Sequence, residues 1–539
     1  MQDEGRAKPQ QEEAARTKRK VAADVLTVAT IALIVRALTA GYTIIWSQLI
    51  NSYKSTNDLL CEGENSSLWN YVKCFSSWDG EYFLRLSLNE TEYLYEQNHA
   101  FFPALPFVVG SLKRLLEGGF PHVSTCTMHM LIAIIANNFF FAFSAIGLYL
   151  FVYTSLSVGA TPMGVVSSQK ESAKKGATYM QSVKSAEDSR RLSFLAAILF
   201  TVNMGSIHMS SFYSESFFCC LSMWGFTFLQ CSLNASKGSF TFDLLAVLCF
   251  SLASFFRSNG ILFLIPLLVH NLRSCALCVH CAGVLPRGGE GHRAVKAKRL
   301  SCSSDEGHTL SRLPYKGTLL QFALHWAKAL LEAALVVLPL LTFQLYAYHL
   351  YCVQGHDDQW REERKQFHKF FLSFWANPLE YASGERYTRV EDQLIRRPWC
   401  KKTIPFIYSY IQREYWGVKF LKVVRSPSAG VLYALPVYFV SLHAVYDFFL
   451  CRKFPRGGEA SFLLSPFLGG VLHLGVLCLY LLLFAHGEII LRLIASSPLF
   501  YAHYAYQLKY SERWNLLLLA NLLYFFVGPP LFGAYIAWT

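Results

Sequence analysis

VAADVLTVATIALIVRALTAGYTIIWSQLI (residues 21–50) decides the fold class of this chain. A helix needs only about 20 apolar residues to cross a hydrocarbon core roughly 30 Å thick, and this run exceeds that. It is too long for a secretory h-region, and no small-residue cleavage signal follows it, so it reads as a retained transmembrane helix. Arg16, Lys18, Arg19 and Lys20 immediately precede it, which predicts a basic cytosolic tail over residues 1–20. Comparable runs recur along all 539 residues, 53% of which are hydrophobic, and predict an all-α polytopic membrane protein. The formal net charge is +13, but the positive residues lie mainly in loops between spans and in a segment after Leu350. That pattern suits positive-inside topology and membrane lipids as partners, and no nucleic acid is expected.

About ten spans are predicted, with those after the first near 127–153, 192–212, 216–234, 240–256, 260–272, 319–350, 430–450, 461–485 and 515–537. Residues 101–116 are short, broken by Pro103 and Pro106, and end in Lys113 and Arg114, so they read as interfacial or re-entrant. The chain then divides into transmembrane regions 21–159, 192–272 and 319–539. The first carries a lumenal loop over 51–100 and the last a large lumenal loop over 351–428. The Ser-, Gly-, Lys- and Arg-rich stretches 160–191 and 273–318 are expected to be disordered cytosolic loops, because few of their residues can join a packed core.

Counting crossings puts segments 77–83, 212–216, 257–260, 351–428 and 486–498 on one face, away from the cytosol. Asn65-Ser-Ser and Asn89-Glu-Thr are glycosylation sequons on that face, whereas Asn234-Ala-Ser falls on the other and is expected to stay unmodified. Of the fifteen cysteines, Cys219, Cys220, Cys249 and Cys478 lie in apolar runs and act as small core residues. Cys61 and Cys74, and Cys352 with Cys400, lie in polar loops where an oxidising compartment would pair them; spacing alone does not settle the pairing.

Ser77-Trp-Asp-Gly-Glu-Tyr-Phe holds Asp79 where membrane meets water, anchored by Trp78, Tyr82 and Phe83 at headgroup level. A general base has to be held this rigidly near the hydroxyl it deprotonates. The plainer reading is a solvated loop carboxylate or a helix cap. Glu81 and Glu96 are nearby acids suited to binding sugar hydroxyls or to holding Asp79. Glu215, in Phe-Tyr-Ser-Glu-Ser (212–216), and Arg257, in Phe-Arg-Ser-Asn-Gly (256–260), each sit between apolar segments and demand either water or a partner. They form a structural pair, or Arg257 offers its guanidinium fork to a lipid phosphate. Trp399-Cys-Lys-Lys and Tyr410-Ile-Gln-Arg-Glu-Tyr-Trp-Gly interleave aromatics with cations, as a sugar and headgroup site or an interfacial helix would. His486, Glu488 and Arg492 cluster before Ala495-Ser-Ser-Pro. Cys275, Cys278, Cys281 and Cys302 do not meet four-ligand zinc spacing, no nucleotide-binding motif stands out, and no metal is expected.

Taken in order, Trp78-Asp-Gly-Glu-Tyr-Phe, YLYEQNHAFFP (residues 93–103), Phe212-Tyr-Ser-Glu-Ser, Arg257-Ser-Asn-Gly, Gln412-Arg-Glu-Tyr-Trp-Gly and Ile494-Ala-Ser-Ser-Pro closely resemble the GPI mannosyltransferase II family. That family belongs to the GT-C class of membrane glycosyltransferases. The resemblance implies a multi-pass endoplasmic reticulum enzyme with a GT-C fold and a lumenal active site. It implies that dolichol phosphate mannose donates the second mannose, in α-1,6 linkage, to a mannosylated glucosaminyl acyl-phosphatidylinositol. The catalytic acid of its first loop maps to Asp79. With the residue readings above, the substrate-binding set becomes Trp78, Glu81, Glu96, Asn98, Glu215, Arg257, Trp399, Gln412, Arg413, Tyr415, Trp416, His486 and Arg492. A β-linked phosphomannose becoming an α-mannoside requires inversion with one base, and a cation suffices for a monophosphate leaving group, so no cofactor is expected. Whether a small membrane partner subunit is needed stays open. The rival readings are another dolichol-phosphate-sugar transferase, of N-glycan or protein mannosylation, and a polytopic lipid transporter.

Overall fold

The computed structural model describes residues 4–50, 60–64, 66–89, 93–160, 180, 183, 185–235, 238–281, 319–355, 366–376, 387–389, 397–425, 430–450, 465–536 and 538. Its elements are almost all helices. Helix α1 (Glu4–Leu49) is followed by a brief helical segment at Ser67–Val72, by two longer ones, α2 (Asp79–Leu88) and α3 (Ala104–Leu116), and by the long α4 (Thr125–Ala160). Then come α5 (Ala186–Thr201), α6 (Glu215–Asn234), α7 (Ser239–Phe256), α8 (Leu264–Cys281) and α9 (Leu319–Tyr351). Strands β1 (Val353–Gly355) and β2 (Tyr387–Arg389) form a small antiparallel ribbon, pairing Val353 with Arg389 and Gly355 with Tyr387. Helices α10 (Ile407–Glu414), α11 (Gly430–Leu450), α12 (Leu468–Phe484), α13 (Pro498–Tyr510) and α14 (Asn515–Gly533) complete the chain.

Seven of these helices are long and apolar enough to cross a membrane: those over Ala15–Leu49, Thr125–Ser157, Glu215–Asn234, Ser239–Phe256, Phe322–Tyr351, Val431–Leu450 and Glu512–Gly533. In lipid every backbone amide has to be satisfied within its own segment, which is why these runs are helices. The bundle has two polar faces. One carries Lys20 and Asp24, with ion pairs from Arg190 to Asp24 (2.6 Å), Lys20 to Glu187 (3.6 Å) and Lys509 to Asp188 (2.8 Å). The other carries Asp79. Helix α3 stays on the Asp79 face, as an interfacial segment should: its last turn holds Lys113 and Arg114, and α4 starts on the same side.

The shorter helices α5, α8, α12 and α13 also run between the faces, so eleven connect them among the described residues. The sequence reading of about ten missed α13, having assigned residues 486–498 to a loop followed directly by the last span. Its stretch PLFYAHYAYQLKY carries too many Tyr, His, Gln and Lys residues for a lipid-facing helix. Residues 498–505 are all buried against protein instead, where His503 Nε2 lies 3.0 Å from His443 Nδ1. A helix wrapped by protein does not need an apolar surface all round. Because of this crossing the last helix returns to the Asp79 face, where Gly533 packs against Thr43. Two boundaries also move: helix α5 takes in residues 186–191, and α8 continues through Cys281, both taken as polar loop in the sequence.

A buried cation ties the first span to this frame. Arg36, fully buried in α1, donates to Ser206 O (2.6 Å) and Thr201 O (3.0 Å) and to the Ser206 hydroxyl, with its guanidinium over the Phe141 ring. Thr201 is the last residue of α5, so Arg36 satisfies a carbonyl that the helix end leaves orphaned. The turn beyond it leads to the Asp79 face. There Gly205 lies so close to residue 491 that a Cβ would sit 2.5 Å from the Leu491 oxygen.

Among the described residues two disulfides form, both on the Asp79 face: Cys61–Cys126 and Cys352–Cys400. The second joins two cysteines that the sequence reading grouped. The first corrects the grouping of Cys61 with Cys74: Cys74 is a buried free thiol whose Sγ donates to Tyr71 O, and Cys61 instead clamps the short segment before residue 65 to the start of α4. Thiol mass-tagging of denatured, unreduced protein tests this. Cys61→Ser is expected to add one reactive thiol at Cys126 and none at Cys74, and to lower stability by roughly 4 kcal/mol on the chain-entropy account of a loop this long.

Candidate active site

Helix α2 starts at Asp79 because the residue before it turns sharply: Trp78 has φ 57° and ψ −121°, a left-handed conformation that a bulky residue adopts only when its surroundings impose it. Those surroundings come from residues 212–213. Phe212 N donates to Phe75 O (2.9 Å), and the Tyr213 hydroxyl donates to Ser77 O (2.9 Å). Tyr213 is fully buried, and burial, with Asp79 nearby, pushes its phenol well above the ordinary range, so it keeps the proton it donates. Asp79 thereby enters the first turn of α2, where the helix dipole favours a carboxylate.

Four charges meet there. Arg492 Nη1 donates to Asp79 Oδ2 (3.0 Å), while its Nε and Nη2 both reach Glu215 Oε1 (2.9 and 2.8 Å). Arg257 Nη1 reaches the same Glu215 oxygen at 2.5 Å and lies 3.4 Å from the Ser214 hydroxyl. Exposure grades outward, from 2% for Glu215 through 10% for Arg492 and 18% for Arg257 to 27% for Asp79. Burial disfavours the Arg492 cation, but Glu215 and Asp79 outweigh it and raise it above its usual value. The Tyr213 ring also stacks 4.9 Å from the Arg492 guanidinium. Arg492 is thus fully committed, with all three nitrogens bonded to carboxylates. Both contacts of Arg257 pass through Nη1, leaving its Nε and Nη2 uncommitted among the described residues.

Asp79, Arg257 and Arg492 line a cavity of about 230 Å³ together with Gln412, Trp416 and His486. Its walls are apolar and aromatic: Phe83, Phe101, Phe102, Phe256, Tyr408, Tyr480 and Leu481. Trp416 packs edge-on against Tyr82 and Phe101, and its carbonyl lies 3.1 Å from His486 Nε2. Ser258 donates to the Tyr408 hydroxyl (2.5 Å), and Tyr408 N donates to Gln344, tying α10 to α9.

A second polar cluster stands apart from this cavity. Glu96 accepts from Trp399 Nε1 (2.7 Å), Arg397 Nη1 (3.3 Å) and the Tyr415 hydroxyl (3.3 Å), and Arg397 also lies over the Tyr351 ring. With Cys352–Cys400, this carboxylate fastens residues 397–416 onto the first loop. Of the candidates named from sequence, six line the cavity (Asp79, Arg257, Gln412, Trp416, His486, Arg492), and Glu215 lies beneath it. Glu96, Trp399 and Tyr415 form the second cluster instead of holding Asp79. Trp78 is half exposed, Arg413 pairs with Glu414 at the surface (2.6 Å), Asn98 is buried in the turn beside Glu96, and Glu81 follows Asp79 on α2 without lining the cavity. Asn89 is exposed at the end of α2, and Asn65 lies outside the described residues. Glu64, its neighbour, accepts from the Ser124 hydroxyl.

Ser214, Asn259, Tyr408 and Tyr480 also line the cavity and Tyr213 supports it, none of them a candidate from sequence, although Tyr213, Ser214 and Asn259 sit inside motifs quoted above. Tyr480 lies in a run of leucines and carries no local signal. Among the described residues no three His, Cys, Asp or Glu side chains converge as metal ligands. What the cavity can do chemically is accept a proton at Asp79 and hold an anion beside Arg257, against aromatic walls that suit a sugar ring.

The profile of the family described as "Mannosyltransferase (PIG-V)" matches residues 25–164, 175–276 and 294–538. The chain is 26% identical over 487 residues to the GPI mannosyltransferase 2 of Drosophila pseudoobscura pseudoobscura, covering 86% of each. It is 27% identical over 458 residues to the human GPI alpha-1,6-mannosyltransferase 2, covering 81% of this chain and 73% of that protein. The Cricetulus griseus protein of the same name is 25% identical over 458 residues, covering 81% and 74%.

The Glu96 cluster yields a stability prediction. Glu96→Ala leaves the fully buried Trp399 indole without an acceptor, and is expected to cost about 1–3 kcal/mol in melting experiments on detergent-solubilised protein. Arg413→Ala, which removes only a surface pair, is expected to change stability by less than about 0.5 kcal/mol.

Proposed function

Because the chain belongs to the mannosyltransferase (PIG-V) family, a polytopic GT-C type, we propose that it is the α-1,6-mannosyltransferase that adds the second mannose to the GPI precursor. The donor in this reading is dolichol phosphate mannose, and the acceptor is the one-mannose glucosaminyl acyl-phosphatidylinositol. The observation that carries it is the charge arrangement at one cavity: a carboxylate held by one arginine, beside a second arginine whose Nε and Nη2 are uncommitted among the described residues.

Asp79 is the base. The acceptor's 6-hydroxyl oxygen attacks C1 of the donor mannose, its proton passes to Asp79, and the bond from C1 to the phosphate oxygen breaks on the opposite side. Configuration inverts from β to α, and dolichyl phosphate departs with the bonding electrons. Arg492 donates to Asp79 Oδ2 and so orients the carboxylate, leaving Oδ1 for the hydroxyl. Arg257 receives the departing phosphate through Nε and Nη2, the geometry that suits a guanidinium to phosphate. Glu215 holds both arginines in place. The aromatic walls and Trp416 take the sugar faces and the lipid's first carbons, and Gln412 and His486 supply polar contacts at the mouth.

Charge and redox chemistry support a compartment. Both disulfides share the Asp79 face, and disulfides persist in oxidising compartments. The basic residues before the first span lie on the other face, as positive-inside topology requires of the cytosol. This supports an endoplasmic reticulum membrane protein with its cavity in the lumen.

Expression in cells lacking GPI mannosyltransferase 2 tests the assignment. The wild-type chain is expected to restore surface GPI-anchored proteins and to clear the one-mannose intermediate; continued accumulation of that intermediate, with the protein correctly localised, would remove this reading. Asp79→Asn, at equal abundance, is expected to lose about a hundredfold to ten-thousandfold in rate on isolated membranes, because an amide cannot take the hydroxyl's proton.

The two guanidiniums separate in a second measurement. Arg257→Lys keeps the charge and its contact to Glu215 but loses the fork, so donor use should weaken much more than acceptor use. Full activity of Arg257→Lys would make Arg257 a structural partner of Glu215 alone.

A further inference from the structure

A second built site lies at the opposite face. Arg273, on α8, is 6% exposed, yet it has no carboxylate partner among the described residues and its Nε finds no acceptor. It lines a small cleft of about 30 Å³ between α4, α6, α8 and the start of α12. Gln230, His270 and Ser465 line the same cleft, each at least nine-tenths buried. Its depth is set by the helices. Gln230 lies 15 residues along α6 from Glu215, about 22 Å at the helical rise, and Phe151 in the cleft wall is two residues from Tyr149, which bonds Asp24. The cleft therefore sits at the level of Lys20 and Asp24.

An independent feature points into the same space. Helix α12 has no side-chain cap, since Phe467 occupies the cap position, and Gly469 and Gly470 of its first turn line the cleft. Leu468 N donates back to Ser465 O (3.3 Å) and Val471 N to Phe467 O (2.9 Å), which leaves the amides of Gly469 and Gly470 in the orphan set of a helix start. A 17-residue helix thus presents its positive end where a buried guanidinium lacks a counterion among the described residues. The acids that bond α8, Asp243 and Glu332, are engaged elsewhere: Asp243 by His270 (2.8 Å), Ser232 (2.6 Å) and Lys328 (2.7 Å), and Glu332 by Asn271 (2.9 Å) and Lys328 (2.8 Å).

We propose that this cleft binds a phosphate oxyanion, held by Arg273 and the N-terminus of α12, on the membrane face opposite the active site. The cleft has room for about two oxygen atoms, so it takes two oxygens of a phosphate while the rest of the group and its bearer stay outside. Phe151, Leu229, Leu233 and Val269 make the surrounding wall apolar, which favours a phospholipid over free phosphate. A lipid seated there staples α4, α6, α8 and α12 together at their far ends. The inference does not depend on mannosyl transfer, and its readout is binding.

The experiment uses the full chain, delipidated in dodecyl maltoside. Dioleoyl phosphatidic acid and dioleoylglycerol differ only by the phosphate. Phosphatidic acid is expected to raise the melting temperature and to appear as a retained adduct in native mass spectrometry, while dioleoylglycerol does neither. Arg273→Gln is expected to weaken phosphatidic acid binding by about tenfold or more, as loss of a charged hydrogen-bond donor should. Should that variant fail to fold, Arg273→Lys keeps the charge, and severalfold weaker binding is expected from the lost fork. Inorganic phosphate that matches phosphatidic acid in raising the melting temperature would keep the site and assign its occupant as free phosphate. Equal adducts and equal shifts with dioleoylglycerol, or unchanged phosphatidic acid binding in either Arg273 variant, would overturn the proposal.

Discussion

Arg492 closes the molecule. Its guanidinium bonds Asp79, 413 residues earlier in the chain, and Glu215, 277 residues earlier, so the first loop, the sixth helix and the last third of the protein meet at one side chain. Taking two carboxylates and two guanidiniums out of water costs several kcal/mol per ion, and such clusters are often neutral for stability. The arrangement makes sense as a device of position. Each acid is shared with a guanidinium, and the partly exposed members, Asp79 and Arg257, are the ones left facing the cavity. Removing one member would strand a buried opposite charge, so the four are constrained together.

The frame that positions this cluster follows from the bilayer acting as solvent. Most of the long apolar helices expose a face to lipid, whereas the shorter α5 and much of α13 run where protein covers them. That setting permits the polar groups that make the interior specific: Arg36 on the carbonyls closing α5, and His443 against His503. Arg36 and the close approach at Gly205 bear on the same turn, which carries the chain from α5 to Glu215 and abuts the backbone beside Arg492. The membrane part therefore supports the site from below, as the Glu96 cluster and the Cys352–Cys400 disulfide hold its lid of residues 397–416 from above.

The two faces use charge differently. At the Asp79 face the charges are paired across distant segments and graded from buried to exposed around a cavity. At the Lys20 face most pairs are partly exposed and local to α1, α5 and the end of α13, in the range where surface pairs contribute little. Arg273 departs from that pattern, being buried and unmatched among the described residues beside an uncapped helix.

The fold class and the polar residues that gather at the cavity are legible in the amino-acid sequence. Apolar length alone makes residues 21–50 and their counterparts helices, because hydrocarbon leaves a backbone no other way to satisfy its amides. Polar residues stranded between such runs identified Asp79, Glu215, Arg257 and Arg492 for the same reason: a charge there has to find water or a partner. Which partner each charge found is set by the packing of distant segments. It gave Arg492 to Asp79 and Glu215 together, sent Glu96 to Trp399, joined Cys61 to Cys126, and turned the polar stretch at Pro498–Tyr510 into a crossing. Hydropathy is a local property that assumes lipid on every side. Pairing and burial by protein depend on which distant segments converge, and nothing local in the chain encodes that convergence.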